Sequence, residues 1–220
     1  MAFTFGQKIN TIVKLLAEPK VMAALLSQRD FGYLLDVGWF ESFRSQKPVD
    51  KNGSPIPWFS YPFIDFLENR LSSEVKLLEF GSGNSTFYFG NRISKVYSIE
   101  HNQNWFEIVS ELKPTNAELI LTKSDSLENY LKPLDGISYK FDIIIIDGLH
   151  RNACIKKSID HLSTGGVIIL DDSERKEYKE GVDFLASNKF RRLDFWGIAP
   201  TVLFKKCTSL FYKHQNCLGV

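Results

Sequence analysis

Acids, glycines and one histidine carry the chemistry that this sequence could perform. Glu79-Phe80-Gly81-Ser82-Gly83-Asn84-Ser85 sets an acid and two closely spaced glycines at the end of the apolar pair Leu77-Leu78. Glycine removes the Cβ that would hold a ligand off the backbone, and the amides opening the next helix are unpaired donors, so this loop is a candidate nucleotide-type site. Farther along stand Glu100, Asp147 and the pair Asp171-Asp172, each closing an apolar run. Carboxylates gathered at one edge repel, and each raises the others' pKa unless a cation or a basic group stands among them. A divalent metal such as Mg²⁺, which prefers oxygen ligands, is one solution. His150 follows Asp147 closely. Its unperturbed pKa of ~6.5 suits taking a proton from a hydroxyl acceptor near neutral pH.

These residues act together only if strands deliver them to one place. Leu77–Phe80, Lys95–Glu100, Ala117–Thr122, Phe141–Asp147 and Gly165–Leu170 are apolar runs separated by stretches with helical spacing, the alternation of a doubly wound α/β fold. Ile143-Ile144-Ile145-Ile146 is a β-branched run that only a sheet covered on both faces would bury. Ligands of open parallel sheets bind outside the carboxyl ends of the strands, so Gly81, Glu100, Asp147, Asp171 and Asp172 are expected at one rim. Glu100 lies about twenty residues beyond the glycine loop, where an acid reaches ribose hydroxyls. Arg191–Ile198 and Thr201–Lys205 flank a turn at Gly197-Ile198-Ala199-Pro200 and predict a closing antiparallel pair. The expected fold is Rossmann-like α/β: a doubly wound, mostly parallel sheet with that pair and an N-terminal helical cap.

The E-x-G-x-G form of Glu79 to Gly83 resembles motif I of the class I S-adenosylmethionine-dependent methyltransferases. A dinucleotide fingerprint wants a third glycine where this chain has Thr86, which weakens an NAD reading. The resemblance implies S-adenosylmethionine as cofactor. Gly81, Ser82, Gly83, Asn84 and Ser85 would then hold its methionine part, with Glu79 linked to the amino group. Glu100 would accept both ribose hydroxyls with His101 beside it, and Ser124, Asp125 and Ser126 would lie against the adenine, Asp125 taking the exocyclic amine. An N-cap for the helix from Leu127 to Leu131 explains Asp125 equally well.

The acidic rim resembles the metal-dependent O-methyltransferases related to catechol methyltransferase, in which an aspartate ends the fourth strand and an aspartate-asparagine pair ends the fifth. Asp147 and Asp171 match, and Asp172 stands in place of the asparagine. That resemblance implies Asp147, Asp171 and Asp172 as ligands of Mg²⁺ or another divalent cation. The alternative is that Asp172 or Ser173 caps the next helix while Asp147 holds a loop. The implied reaction is in-line methyl transfer to an oxygen of a small molecule or sugar. His150 or the metal would activate the acceptor, with Asp147 in both the catalytic and the cofactor sets. Trp58, Tyr61 and Arg151 are the candidate substrate contacts. An NAD-dependent oxidoreductase and a noncatalytic nucleotide-binding module are the competing readings.

Lys+Arg 27 against Asp+Glu 26 gives a formal charge of +1. No global field draws the chain to nucleic acid, and no such partner is expected. Cys154, Cys207 and Cys217 are scattered and lack metal-type spacing, so neither a disulfide framework nor a zinc site is indicated. No apolar run approaches the roughly 20 residues that span a bilayer, and a cytoplasmic protein is expected. Ile9 to Gln28 shows helical spacing broken by Pro19, predicting two short amphipathic helices. They could cap the core, pair two copies as a homodimer or lie on a membrane surface; the cap is favoured because no basic face draws them to lipid. Gln46 to Pro62 reads as a stiff loop, rich in proline and aromatics, that either folds over the cofactor and shapes an acceptor pocket or is pinned to the core by its aromatics. The expected boundaries are a cap over 1–61, a cofactor-binding core over 62–206 and a tail over 207–220.

Overall fold

The structure is a computed structural model that describes residues 4–122 and 125–220. Its strands are β1 (Lys76–Phe80), β2 (Lys95–Glu100), β3 (Ala117–Leu121), β4 (Phe141–Ile146), β5 (Leu162–Leu170), β6 (Arg191–Ala199) and β7 (Val202–Tyr212). They form one sheet in the order β3-β2-β1-β4-β5-β7-β6. The first five run parallel, and β7 is antiparallel to both β5 and β6. The helices are α1 (Phe5–Ala17), α2 (Pro19–Ser27), α3 (Tyr33–Asp36), α4 (Trp39–Ser45), α5 (Tyr61–Glu68), α6 (Asn84–Gly90), α7 (Gln103–Leu112), α8 (Leu127–Leu131), α9 (Arg151–Ser158) and α10 (Lys179–Ser187).

The isoleucine run does what its composition demands. Successive side chains of a strand point to opposite faces. Ile143 and Ile145 enter one core with Phe63 and Leu67 of α5 and Phe89 of α6. Ile144 and Ile146 enter the other, with Tyr130 of α8, Ile155 of α9 and Leu185 of α10. Each isoleucine is essentially fully buried, which contributes about 1.5–3 kcal/mol per side chain. Both faces are covered, so the middle strands are fixed rigidly.

Two expected boundaries change. Residues from Cys207 onward are not a tail: β7 continues to Tyr212, and Cys207, Thr208, Ser209, Leu210 and Phe211 are all buried. The strand was hidden by its small polar residues, which are buried because partners satisfy them. The Thr208 hydroxyl donates to Asp171 Oδ1 at 2.7 Å and the Ser209 hydroxyl to Asp194 Oδ1 at 2.5 Å. Beyond β7, the Cys217 amide donates to the Gly165 carbonyl at 2.8 Å.

At the other end, α1 and α2 bury no side chain. The packing expected of a cap starts at α3, where Leu34 meets the core and Tyr33 contacts the Tyr61 ring, and continues in α4, where Trp39 Nε1 donates to the Val202 carbonyl at 3.0 Å. Ser42 there donates to the Val49 carbonyl at 2.6 Å and pins the loop that follows. The three cysteines are free thiols.

Candidate functional site

Register brings the acids together. Phe80 of β1 pairs with Ile99 of β2 and with Ile146 of β4, and Ile146 pairs with Leu170 of β5. Gly81, Glu100, Asp147 and Asp171, each one residue farther along, therefore share one rim. Gly81 (φ +108°) and Gly83 (φ +147°) adopt backbone conformations that side chains rarely tolerate. A Cβ on Gly83 would also sit 3.2 Å from the Trp105 ring. Trp105 Nε1 donates to the Ser82 carbonyl at 2.8 Å, so the indole and the loop hold each other.

Thr86, standing where a dinucleotide fingerprint has glycine, explains itself. Its hydroxyl accepts from the Gly83 amide at 3.0 Å and donates to Glu79. Ser85 and Ser98 also donate to Glu79, at 2.7 and 2.5 Å. Burial raises the Glu79 pKa against the pull of these hydroxyls.

Between the loop, the end of β2 and Trp105 lies a cavity of about 460 Å³, lined in part by Glu79, Gly81, Glu100, His101 and Asp147. Its volume lies within the range of small-molecule sites, about 300–1,000 Å³. Glu100 is 3% exposed at its wall. Its Oε1 accepts from the amides of His101 and Asn102, both at 2.8 Å, and its Oε2 from the Ser82 hydroxyl at 2.7 Å. His101 Nδ1 lies 3.1 Å from Glu100 Oε1 but off the line of a hydrogen bond, so this buried nitrogen keeps no partner. A glycine-lined wall, a fixed carboxylate and an orphaned ring nitrogen fit an adenosyl group with a charged amino acid portion.

A second cavity, of about 240 Å³, opens among Trp58, Asp147, Asp172, Arg175, Phe204 and Lys206. Asp147 lines both cavities. Around it three acids meet three cations. Lys206 donates to Asp171 Oδ2 at 2.5 Å, lies 2.9 Å from Asp172 Oδ1, and donates to the Trp58 carbonyl at 3.2 Å. Arg151 holds Asp147 Oδ1 at 2.8 Å, and Arg175 holds Asp172 Oδ2 at 2.6 Å. Burial pulls the Lys206 ammonium down, but Asp171 and Asp172 outweigh it and keep its pKa above the ordinary value. Burial and the neighbouring Asp171 raise the Asp147 carboxyl to about 7, against Arg151 and Lys206. Its side chain remains 35% exposed, in reach of a ligand.

This arrangement corrects the metal assignment of Asp147, Asp171 and Asp172. The ammonium of Lys206 stands between Asp171 and Asp172 where a divalent ion would have to bind, and Arg151 occupies the inner oxygen of Asp147. Among the described residues no three His, Cys, Asp or Glu side chains are grouped to hold a metal. The donor set does not fit the cation. Nor do Asp172 and Ser173 cap a helix: Ser173 bonds Cys207 and Ser209, and α10 starts after a single tight turn at Lys176–Tyr178.

The remaining candidates separate. Trp58 lines the second cavity, its Nε1 anchored on the Pro200 carbonyl at 2.7 Å. Tyr61 is 1% exposed inside the core, which removes it from substrate contact; the aromatic signal there came from packing. Arg151 is spent on Asp147 and on the carbonyls of Gly148 and Asp171. Asn84 turns away from the cofactor cavity and donates to the Pro48 carbonyl at 2.6 Å. Ser126, not Asp125, caps α8, accepting from the Asn129 amide at 3.4 Å. Ser124 lies outside the described residues. His150 Nε2 lies 2.5 Å from the Asp125 carbonyl, and the ring borders a third cavity with Asn152 and Tyr178, away from Lys206 and Trp58.

Sequence reasoning missed Trp105, Arg175, Thr208 and Lys206. A signal existed for the last: of adjacent lysines on one strand, such as Lys205-Lys206, one must face inward.

Comparison with known proteins agrees with this geometry. Residues 78–173 match the sequence model of a family described as Methyltransferase domain. No curated protein sequence matched the chain. Among solved structures, an rRNA methylase from Streptococcus thermophilus is 22% identical with a TM-score of 0.50, covering 69% of this chain and 96% of its own. A precorrin-6y C5,15-methyltransferase from Geobacter metallireducens is 15% identical with a TM-score of 0.55, covering 69% and 87%. Fibrillarin from Aeropyrum pernix, with natively bound S-adenosyl-L-methionine, is 12% identical with a TM-score of 0.50, covering 67% and 70%. At these identities the likeness establishes the fold.

Proposed function

We infer that this chain, whose residues 78–173 match a methyltransferase-domain family, is a class I S-adenosylmethionine-dependent methyltransferase that methylates an oxygen of a small polar acceptor held in the 240 Å³ cavity. The observation that carries this reading is Asp147, the one carboxylate that lines both cavities. The cofactor, when bound by the glycine loop and Glu100, supplies an electrophilic methyl group on its sulfonium. Glu100, already fixed by two amides, orients the ribose. Asp147 faces the acceptor with a carboxyl raised to about 7, matched to taking a hydroxyl proton near neutral pH. Lys206 and Arg151 keep the neighbouring acids balanced, so that Asp147 ionises without the whole cluster protonating. Trp58 and Phe204 give the acceptor cavity an apolar wall. Holding the reacting oxygen and the methyl carbon in line supplies much of the acceleration. The proton acceptor in this reading is Asp147 and not His150, whose ring is turned to Asp125.

Calorimetric titration with S-adenosylmethionine, S-adenosylhomocysteine and NAD, each with Mg²⁺ and with chelator, tests the assignment. Binding of the two adenosyl sulfur compounds, indifferent to chelator, with none for NAD, is expected. NAD binding, or dependence on Mg²⁺, would reject it.

A further inference from the structure

We propose that α1 and α2 dock the protein on an anionic lipid surface, lying in the plane of the headgroups. Phe5, Ile9, Ile12 and Leu16 recur at the spacing of one helix face. They are 79%, 47%, 56% and 64% exposed, and Val21 and Leu25 extend the apolar surface onto α2. Contiguous exposed apolar surface of this kind marks an interaction site. The helix that bears it is formed without the partner. The Gln7 amide donates to the Thr4 hydroxyl at 3.3 Å and the Gln7 side chain accepts from the Thr4 amide at 2.8 Å, a reciprocal cap.

Charge selects the occupant. From Thr4 to Ser27 the charged residues are Lys8, Lys14, Lys20 and Glu18, a net +2 in a chain whose total is +1. Within α1 there is no acid at all. Among the described residues none of these lysines makes an ion pair. This reverses the preference for a cap: α1 carries lysines and no acid, and among the described residues its apolar side is left exposed. A second copy would cover the apolar stripe but would leave these lysines without a counter-charge. Anionic headgroups neutralise them while the acyl boundary takes the apolar stripe. Thirteen residues make a helix roughly 20 Å long, short of the ~30 Å hydrocarbon core. No described helix is long and apolar enough to cross a membrane, so the geometry is in-plane.

Sedimentation of the 220-residue chain with vesicles of phosphatidylcholine, alone or mixed with phosphatidylserine, tests the proposal. Partition is expected only with the phosphatidylserine mixture, and added salt should weaken it. The paired change Lys8→Gln and Lys14→Gln should reduce binding roughly thirtyfold, at about fivefold per lysine near an anionic surface. Ile12→Asp should abolish it. These side chains are exposed, so thermal midpoint and cofactor binding serve as unchanged controls. Partition with neither vesicle, or equally with both, would overturn the proposal. So would a concentration-dependent dimer that Ile12→Asp splits while vesicles leave the chain unbound, which would assign the face to a second copy.

Discussion

Replacing Lys206 with methionine removes an ammonium from between two buried carboxylates while keeping the length of the side chain. Lys206 is 6% exposed and Asp171 2%, so water screens the pair poorly. Three contacts vanish together, to Asp171, to Asp172 and to the Trp58 carbonyl. Breaking a buried pair by removing one partner destabilises a protein by about 3–5 kcal/mol, because the stranded charge finds no other compensation. For a domain of this size that corresponds to a fall in thermal midpoint of roughly 6–20 °C.

The loss has a sign in pH. Burial raises the Asp171 carboxyl even with the lysine present. An acid raised in the folded state favours folding while protonated, and that advantage disappears as pH climbs through its folded pKa. Removing Lys206 raises Asp171 further, so the deficit of the variant should be smaller at acid than at alkaline pH. Urea unfolding followed by tryptophan fluorescence at acid and at alkaline pH measures it. A loss under about 1 kcal/mol that does not change with pH would refute the claim that this ammonium compensates the acids. If the position is where a metal would otherwise sit, Mg²⁺ should stabilise the variant and leave the parent unchanged.

Three further outcomes follow from the site. Turnover should rise with pH through about 7 as Asp147 ionises, and Asp147→Asn should lower it by roughly 10²–10⁴-fold with S-adenosylhomocysteine binding retained; a pH–rate profile and titration check both. Gly83→Ala forces a side chain into a φ of +147° and against Trp105, and should weaken cofactor binding by roughly 10-fold or more. Glu100→Gln keeps the shape but not the charge and should weaken the same binding by roughly 10- to 100-fold, read by calorimetry.

Several elements are legible in the sequence alone. The run Ile143 to Ile146 announced a strand covered on both faces, and the glycine loop with Glu100 announced a rim, because these signals are local and their periods are short. What sequence could not convey was compensation across distance. Asp171 and Lys206 are 35 positions apart, and nothing local says that a lysine, not a metal, answers the acids. Tyr61 failed for a related reason: aromatic residues in a proline-rich loop wall a pocket or fill a core, and only packing decides. His150 was chosen for proximity to Asp147 in sequence, but its φ of +48° turns the residue into the opening of α9, facing the third loop.

The position of β7 has a consequence for assembly. Among the described residues it is the last strand along the chain, yet it is inserted between β5 and β6, and β6 pairs with it alone. The half of the sheet that carries the glycine loop and Glu100 can close on residues already made, whereas Asp171 waits for Lys206 and Thr208 from the final segment. A nascent or clipped molecule lacking residues 206–212 would leave Asp171 without its ammonium and hydroxyl partners and both cores without Leu210 and Phe211.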